Sequence, residues 1–373
     1  MKLVVFSSAP LIPSGNKWKA YSPYVNEMHI WSTKVDQIQF CCPIWSEDRG
    51  LLVTEIPFET EVPIELKDFD VKSIGHFFKS LSVVILNLHR IFKAMQQADH
   101  IHLRCPGNMG LLGALVQILF PNTPKTAKYA GNWDPKSKQP WSYRLQKWIL
   151  SNPILTKKMQ VLIYGEWENS TANVKPFFTA SYAEKDKQPI QTRSLSSQIR
   201  LLFVGTLSSG KQPLYAVRLL EQLLKNGVDC VLDCYGEGAE RQTILSYLAE
   251  HQLEKALFLH GNQEAATVRK AYQESHFLLL PSKSEGWPKV VAEAMFWGCL
   301  PASTAVSCVS YMLDHGKRGV VLTMNLETDV QQIVDLIHDK ERYQDQVTKA
   351  VEWSRSFTLD YFESEIEVIL KSK

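Results

Sequence analysis

The sequence predicts an α/β protein of two domains, each built on a parallel sheet covered by helices. Three observations support this prediction. The chain has 373 residues, more than one hydrophobic core usually supports. Short apolar runs alternate with amphipathic stretches in both halves, a pattern typical of parallel sheets with helical connections. A polar stretch without apolar periodicity, residues 183–198, separates the two halves and is predicted to be a linker.

The first half alternates less regularly than the second, but its elements can still be assigned from apolar runs and helical periodicity. Its predicted strands are 2–8, 36–42, 51–58, 99–104, 125–131 and 158–165, and its predicted helices are 20–32, 72–97, 107–120 and 138–150.

In the second half, helical patterns lie between most of the short buried runs. Its predicted strands are 199–204, 229–235, 255–260, 276–281, 299–303 and 318–322, with helices at 212–226, 264–275 and from about Pro288 to just before Gly298. The last residues form a further amphipathic helix. We therefore expect a first domain over 1–182, the linker, a second domain over 199–352 and a C-terminal crossover helix over 353–373 that returns to the first domain.

Composition limits the possible classes of protein. The net charge is only +2, which argues against general attraction to nucleic acid. No apolar stretch approaches the length of a membrane span, and the apolar run at the N-terminus is better explained as a first strand than as a signal peptide. Seven cysteines without a regular framework fit a reducing cytoplasm. Cys230 and Cys234 fall on a predicted strand and are expected in the core.

The polar and glycine-rich features of the second half all follow predicted strands. In a parallel sheet the carboxyl ends of the strands meet at one edge, and ligands bind there. The residues in question are Gly205, Thr206 and Lys211, then Gly236, Glu237 and Gly238, then His260 and Gly261, and finally residues 282–289. The sequence therefore predicts a single ligand site at this edge.

Glu285 and Glu293 lie eight residues apart across the junction between the strand 276–281 and the helix that follows. Free amides at a helix start attract anionic groups, and carboxylates beside them suit sugar hydroxyls. Either glutamate alone is equally compatible with a structural role, since Lys289 and Glu293 are spaced as a helix-surface ion pair. Their position on the predicted ligand edge favours a nucleotide-sugar site.

Four segments of the second half carry a family resemblance: FVGTLSSGK at 203–211, YGEGAER at 235–241, FLHG at 258–261 and LLPSKSEGWPKVVAEAMFWGCLPAST at 279–304. With them, residues 199–325 resemble the retaining GT-B glycosyltransferases of family 4, the group 1 glycosyltransferases. The whole chain is most similar to bacterial members that assemble surface polysaccharides. The two glutamates have the spacing of the family's Glu-x7-Glu signature. The resemblance implies two Rossmann-like domains that face a central cleft.

The resemblance also implies roles for individual residues. Glu293 would bind the donor ribose, Glu285 would hold the transferred sugar, and Lys211 would neutralise the diphosphate. Thr206 stands where the family usually has an arginine, and Lys211, Lys289 or Arg104 would have to compensate for the missing charge. The other predicted donor-binding residues are Gly286, Trp287, Pro288, Lys289, Gly205, Thr206, Gly236, Gly238 and His260.

Three residues of the first half complete the predicted site. Gly15 follows the first strand and either approaches the diphosphate or occupies an ordinary strand–helix turn. His102 and Arg104 end the run HIHLR, where many family members keep a histidine beside the reacting sugar. His102 is equally compatible with a core histidine and Arg104 with a structural cap. We predict that Arg104 lies near phosphate, and we count Glu285, Lys211, Arg104 and His102 as the candidate catalytic residues.

The resemblance implies front-face transfer with retention, in which the departing diphosphate takes the acceptor proton and no side-chain base is required. The donor would be a nucleotide-diphosphate sugar, with UDP-sugar favoured and GDP-sugar next, and the acceptor a saccharide or a polyprenyl-diphosphate-linked saccharide. No cofactor and no metal are expected. The pair Asp68 and Asp70 would hold a metal in another glycosyltransferase fold, but GT-B enzymes generally do not need one.

The segment 125–158 carries eight lysines and arginines, one acidic residue and three tryptophans, Trp133, Trp141 and Trp148. One interpretation is a docking face for an anionic membrane, which would make the protein cytoplasmic but peripheral at the inner face of the cell membrane. The other is a solvated helix face whose tryptophans are buried in the core. Nucleic acid is not an expected partner, because no recognisable module is present.

Three other classes compete with a glycosyltransferase. A GT-B sugar-nucleotide epimerase would form product from the donor alone. A dinucleotide-dependent oxidoreductase would need Gly-x-Gly-x-x-Gly after the first strand, and YGEGAER has only the first two glycines on an internal strand. A family member that binds nucleotide sugar without catalysis is the main non-enzyme alternative, and Thr206 gives it some support.

Overall fold

The computed structural model of the chain describes residues 1–69, 74–191 and 193–372. It divides into two compact units, one of Met1–Phe177 with Glu363–Lys373 and one of Phe178–Phe362. Both units are α/β and contain a parallel sheet, as the sequence predicts.

The first unit contains a seven-stranded parallel sheet with the strand order β10-β9-β8-β7-β1-β4-β6 and a smaller antiparallel sheet with the order β2-β3-β5. Its strands are β1 (Lys2–Phe6), β2 (Ile12–Ser14), β3 (Lys17–Tyr21), β4 (Gln37–Cys42), β5 (Val53–Glu55), β6 (Ile64–Glu65), β7 (His100–Cys105), β8 (Lys125–Tyr129), β9 (Met159–Tyr164) and β10 (Val174–Phe177). Its helices are α1 (Ser22–Ser32), α2 (Ile74–Gln96), α3 (Asn108–Val116) and α4 (Trp141–Leu150), and the predicted helix residues 72–73 lie outside the described residues.

The antiparallel sheet of the first unit is not predicted by the sequence. The strand expected at 51–58 is short, and β5 pairs with β3 rather than with the parallel sheet. Ser14 and Lys17 pair across a two-residue loop in which Gly15 has φ of +61°, a conformation typical of tight hairpins. The polar segment after β1 therefore folds back on itself before α1 begins.

The second unit contains a six-stranded parallel sheet with the order β13-β12-β11-β14-β15-β16. Its strands are β11 (Ile199–Val204), β12 (Cys230–Tyr235), β13 (Leu257–Gly261), β14 (Phe277–Leu280), β15 (Leu300–Thr304) and β16 (Val320–Leu322). Its helices are α5 (Pro213–Lys225), α6 (Arg241–His251), α7 (Ala265–Glu274), α8 (Lys289–Phe296), α9 (Val309–Met312), α10 (Leu326–His338) and α11 (Lys340–Arg355), and α12 (Leu359–Lys371) contains the division between the units. Every strand predicted in this half is present, with ends shifted by at most two residues.

Helix α8, which follows the central strand β14, begins and ends where the sequence predicts. Pro288 occupies the capping position and Gly298, with φ of +74°, lies just past the end. Val291, Ala294 and Met295 form its buried face. Trp297, just past the end of the helix, is also buried, because its ring packs against Tyr182 and Phe296.

The C-terminal region contains more than the single crossover helix that the sequence predicts. The proposed linker, expected as a polar connection, is hydrogen-bonded to residues of the second unit. Residues 353–373 include the end of α11, a short connection and α12. Arg193, within 183–198, donates hydrogen bonds to the carbonyls of Tyr272, Gln273, Trp297 and Gly298. The predicted domain boundaries stay predictions.

The cysteines and the helices bear on two expectations from composition. All seven cysteines are buried and none forms a disulfide, so Cys230 and Cys234 are core residues. Among the described residues, none of the helices combines the length and apolar character needed to cross a bilayer.

Candidate functional site

Two glycine-rich loops meet at the carboxyl edge of the second sheet. The loop after β11 and the loop after β12 are joined by hydrogen bonds from Leu207 N to Glu237 O and from Glu240 N to Leu207 O, each 2.9 Å. A Cβ atom at Gly236 would lie 2.0 Å from Gly205 O, and one at Gly238 would lie 2.3 Å from Leu207 O. Both positions therefore require glycine, and the two loops form one continuous rim.

The loop after β14 joins the same rim and brings a lysine and a glutamate together. Lys283 N donates to Gly210 O at 2.8 Å, which ties this loop to the loop after β11. Lys211 Nζ then lies 2.5 Å from Glu285 Oε1, and only 9% of the Glu285 side chain is exposed against 28% of Lys211. The predicted sugar-binding carboxylate and the predicted diphosphate cation are direct neighbours.

Glu293, on α8, is held by two hydroxyl groups that the sequence does not reveal. Its Oε1 accepts from Ser181 Oγ at 2.6 Å, and its Oε2 accepts from Tyr272 OH at 3.1 Å. Burial and the neighbouring Glu293 carboxylate raise the pKa of Tyr272 well above its usual value, so this hydroxyl remains a donor. Ser181 and Tyr272 are distant in sequence from each other and from the glutamate, and no local pattern marks them.

The segment from Gly286 to Lys289 begins and ends with half-buried residues and has a buried tryptophan between them. Gly286 O accepts from Ser307 Oγ and Cys308 Sγ, both at 3.1 Å. Trp287 is 7% exposed and stacks on Trp353 with ring centroids 6.1 Å apart. Pro288 is buried and Lys289 is half-buried. The Trp287 side chain thus anchors the segment, while Gly286 and Lys289 reach the surface.

His260 and Thr206 occupy different environments at the same edge. His260 Nε2 lies 2.7 Å from Asp233 Oδ1, and its ring stacks on Tyr235 at 4.5 Å. Asp233 also accepts from Arg200 at 2.9 Å, so the histidine belongs to a network on the sheet. Thr206 is exposed on the rim and supplies no charge.

The first unit assembles a charged cluster at the carboxyl edge of its own sheet. Arg104 on β7 and Lys128 on β8 both form ion pairs with Glu27 from α1, the lysine at 2.9 Å. Burial by itself would raise the pKa of Glu27, but the charges and hydrogen bonds of Arg104 and Lys128 outweigh it and hold that pKa below its usual range. Sequence reasoning singled out only Arg104. Lys128 joins the cluster because it pairs with Arg104 in the register of β7 and β8.

His102 is fully buried in the first sheet, with the environment of a core histidine. Its Nδ1 lies 2.7 Å from Thr126 Oγ1, and its ring centroid is 4.3 Å from that of Trp31. Burial and the nearby Arg104 charge lower the pKa of His102 well below its usual value. The structure thus separates His102, in the core, from Arg104, which is 15% exposed at the end of the strand.

The remaining predictions for the first unit concern Gly15 and the Asp-x-Asp pair. Gly15 lies at the tip of the β2–β3 hairpin, not in a strand–helix turn, and an added Cβ would meet no atom within 4 Å. Asp68 accepts a hydrogen bond from Trp45 Nε1 at 2.8 Å, and Asp70 lies outside the described residues.

The basic segment 125–158 presents two of its three tryptophans to solvent. Trp133 is 5% exposed, but Trp141 and Trp148 on α4 are 57% and 61% exposed. The interpretation that all three tryptophans are core residues is therefore wrong. The segment's single acidic residue is half-buried. Its exposed basic residues are Lys136, Lys138, Arg144, Lys157 and Lys158.

Comparison with known proteins finds similarity between the second unit and a protein family. Residues 184–353 match the family described as glycosyl transferases group 1. Over 192 residues the chain is 24% identical to a poly(glycerol-phosphate) alpha-glucosyltransferase of Bacillus subtilis, a match that covers 49% of this chain and 26% of that relative. The chain thus spans about a quarter of the length of this curated relative. The family match falls within the second unit of the chain.

Solved structures extend the likeness to the whole chain. HepE of Anabaena, in complex with UDP and glucose, matches 100% of this chain and 99% of its own at 13% identity and a TM-score of 0.67. WaaG, a glycosyltransferase involved in lipopolysaccharide biosynthesis, matches 100% of both chains at 12% identity and a TM-score of 0.64. At such low identities the likeness shows the fold, and that fold is GT-B.

Proposed function

We propose that the chain is a retaining glycosyltransferase. It would move a hexosyl group from a nucleotide-diphosphate sugar to a saccharide or lipid-linked saccharide in surface polysaccharide synthesis. The observation that carries this proposal is the contact between Lys211 and Glu285 on the rim of the second sheet, beside the start of α8. A cation for a diphosphate and a carboxylate for sugar hydroxyls are the two groups that binding of such a donor requires.

Within this proposal Glu285 orients the transferred sugar and Lys211 stabilises the charge that develops on the leaving diphosphate. Glu293, held by Ser181 and Tyr272, accepts hydrogen bonds from the ribose hydroxyls. The glycines at 236 and 238 bring backbone amides close to the donor, and the free amides that begin α8 add further donors. The diphosphate takes the acceptor proton, so positioning and charge stabilisation supply the catalysis.

Relatives and structural neighbours support the substrate classes. The Bacillus subtilis relative is named for glucosyl transfer to poly(glycerol-phosphate), and the HepE structure contains UDP and glucose. These names favour a UDP-sugar donor, with a GDP-sugar next, and a surface-polymer or lipid-linked acceptor for this chain. Thr206 is uncharged, so Lys211 supplies the positive charge of the loop after β11. Donor affinity should therefore depend strongly on this lysine.

The proposal is tested first by donor binding. Thermal shift with UDP, GDP, ADP and CMP, each against its own nucleoside, should show one diphosphate stabilising the protein well beyond the nucleoside. Lys211→Met should remove that difference and leave the nucleoside effect in place. If none of the nucleotides stabilises the protein, the site assignment is wrong. Diphosphate binding without turnover of any acceptor would support the non-catalytic alternative, and product from donor alone would support an epimerase.

We also propose that the α4 face binds an anionic membrane surface from the cytoplasmic side. Trp141, Arg144 and Trp148 are spaced three and four residues apart, so they share one face of α4. Ile154, which is 78% exposed, lies close by in sequence, and exposed lysines flank the helix. Exposed tryptophan rings beside lysine and arginine match the headgroup region of an anionic bilayer.

Flotation with liposomes that contain phosphatidylserine tests the membrane proposal. Binding should weaken as salt rises, and the double variant Trp141→Ser/Trp148→Ser should float at least about tenfold less. Val62→Ser, which removes an apolar side chain that is 80% exposed elsewhere in the first unit, is the control. Equal flotation of the double variant and the control would contradict the proposal, as would an absence of binding at low salt.

A further inference from the structure

A cavity of about 340 Å³ lies at the amino edge of the first sheet, where β7, β8 and β9 begin. All of its lining residues belong to the first unit, and they include Ile369 of α12. The volume is that of a small-molecule site. Ligands of parallel sheets usually bind at the opposite, carboxyl edge, so this cavity needs an explanation of its own.

Three basic side chains line this cavity, those of His100, Lys125 and Lys158. None of the described residues that line it is acidic. Lys125 is the first residue of β8 and Lys158 directly precedes β9, and the backbone N of Lys125 donates to Lys158 O at 2.8 Å. The two lysines therefore extend from neighbouring backbone positions, and together they favour an anionic ligand.

Lys125 is buried in the wall of the cavity, at 2% exposure. Its Nζ donates to the carbonyls of Phe120 at 2.5 Å and Thr123 at 3.0 Å. An ammonium group has three donors, so one N–H is left for a ligand. Burial and the nearby Lys158 charge lower the pKa of Lys125 to about 8. Both effects make the charged lysine unfavourable, and an anion in the cavity would offset them.

His100 supplies a buried polar atom that needs a partner. The residue is 2% exposed, and its Nε2 lies 3.1 Å from Thr126 Oγ1. Its Nδ1 is buried and forms no hydrogen bond within the described part of the chain. In the tautomer in which Thr126 donates to Nε2, Nδ1 carries the hydrogen and can itself donate to an anion.

The backbone of Lys158 is held in an unusual conformation beside the cavity. Its φ is +53°, in the left-handed region that glycine and asparagine adopt at lower cost than lysine. The residue is exposed, so core packing does not account for a lysine there. The strained backbone is explained if the ammonium group serves a ligand.

We propose that His100, Lys125 and Lys158 form a binding site for a small molecule that carries a phosphate group, at the amino edge of the first sheet. The charges of the two lysines match a phosphate group, which carries about two negative charges near neutral pH. Gln160 and Ser372, joined by a hydrogen bond of 2.6 Å, add polar groups to the same cavity. The ligand is either inorganic phosphate or a small phosphomonoester. This inference does not depend on the proposed function.

Isothermal titration with inorganic phosphate at constant ionic strength tests the site without any turnover. Lys211→Met serves as the background, since it removes the proposed diphosphate cation of the second unit. In this background phosphate should bind, and adding Lys158→Asn should weaken the affinity at least about tenfold through loss of a charge-assisted hydrogen bond. Asparagine tolerates a positive φ, so the melting temperature without phosphate should not fall.

Lys157→Asn is the matched control, because it removes an exposed lysine one residue away that does not line the cavity. It should leave the phosphate affinity nearly unchanged. Equal weakening by the two variants would mean that phosphate is attracted only by general charge, and it would overturn the proposal. An absence of phosphate binding in the Lys211→Met protein would overturn it as well. Failure of donor binding in the second unit would leave these measurements intact.

Proton uptake gives a second, independent measurement, which concerns Lys125. The basic groups around this lysine are Lys158 and His100, and His100 is neutral near pH 8 because its pKa is lowered to about 4. A bound anion favours the charged lysine, so phosphate binding at pH 8 should take up a proton and weaken as pH rises above 8. Titrations in two buffers of different ionisation enthalpy measure this uptake. Binding without proton uptake would contradict a contact between phosphate and Lys125.

Glycerol 3-phosphate distinguishes the two sources of the phosphate group. Tighter binding than that of inorganic phosphate would support a phosphomonoester, and Gln160→Ala should then remove the gain. Equal or weaker binding would support inorganic phosphate as the ligand. If neither compound responds to Lys158→Asn, the proposed site is wrong.

Discussion

The carboxyl edges of the two sheets are built differently. At the edge of the second sheet, glycine loops expose backbone, and the lysine and glutamate that meet there come from two short sequence motifs. At the edge of the first sheet the charged groups come from one helix and two strands, and aromatic rings enclose them. Glycine-rich loops position the charged residues at the edge of the second sheet, whereas strand pairing and helix packing position those at the edge of the first sheet.

This difference has a consequence for mutation. At the edge of the second sheet the Lys211 side chain is 28% exposed, so its removal should affect ligand binding more than folding. At the edge of the first sheet the same kind of change removes a buried counter-charge and should affect folding first.

The largest effect is expected from Glu27→Ala, which leaves Arg104 and Lys128 without the carboxylate they share. We expect a loss of about 3–5 kcal/mol in the free energy of unfolding, because removing one partner of a buried ion pair strands the other charges. Urea denaturation measures it. Adding Lys128→Met should recover part of the loss, and a double variant as unstable as the single one would show that charge is not the cause.

Glu293→Ala should lower kcat/KM for the donor at least about a hundredfold, or roughly 2.7 kcal/mol, with little change in stability. The physical reason is loss of the carboxylate proposed to hold the ribose hydroxyls. Glu250→Ala, which removes an exposed glutamate on α6, is the control. Near-normal kinetics in Glu293→Ala would remove the central assignment at the edge of the second sheet.

Acid should destabilise the first sheet through its buried histidines. Burial, with a contribution from Lys125, lowers the pKa of His100 to about 4, below its value in the unfolded chain. Stability is therefore complete above about pH 6.5 and is lost as pH falls towards 4, by roughly 2 kcal/mol for this residue between pH 6.5 and 5. Denaturation curves at pH 7 and 5 measure the loss, and His100→Asn should reduce the pH slope by about one proton.

Gly236→Ala should disturb the rim of the second sheet, because the new Cβ would lie 2.0 Å from Gly205 O. Gly227→Ala is a matched control, since Gly227 also has a positive φ of +80° but no atom within 4 Å of the added carbon. We expect Gly236→Ala to be about 1–3 kcal/mol less stable than the control and to bind nucleoside diphosphate more weakly. Equal losses in the two variants would mean that the loops separate easily.

The smallest effects are expected from the hydroxyls that hold Glu293. Ser181→Ala and Tyr272→Phe each remove one hydrogen bond to the carboxylate, worth about 1 kcal/mol, so donor Kd should rise roughly five- to tenfold. Ser181→Thr keeps the hydroxyl and should restore affinity. Isothermal titration with the nucleoside diphosphate gives the values, and an unchanged Kd in both variants would show that the two hydroxyls do not position Glu293.

The alternation of apolar runs and helical patterns was enough to predict the two parallel sheets. The spacing of Pro288 and Gly298 was enough to predict α8. The short hairpin sheet was missed, because β2, β3 and β5 have three to five residues and little apolar alternation. The burial of Trp297 does not follow from helical periodicity, because a residue at the end of a helix is covered by neighbours from other parts of the chain, here Tyr182.

The sequence alone predicted the α/β class of the second domain and its candidate site residues, because its glycines, a lysine and two glutamates follow the predicted strands at fixed spacings. The tertiary structure decided which charges are neighbours. It joined Lys211 to Glu285 and Ser181 to Glu293, and it placed Glu27 between Arg104 and Lys128. The strength of an electrostatic interaction depends on distance and burial, and neither can be read from positions along a chain.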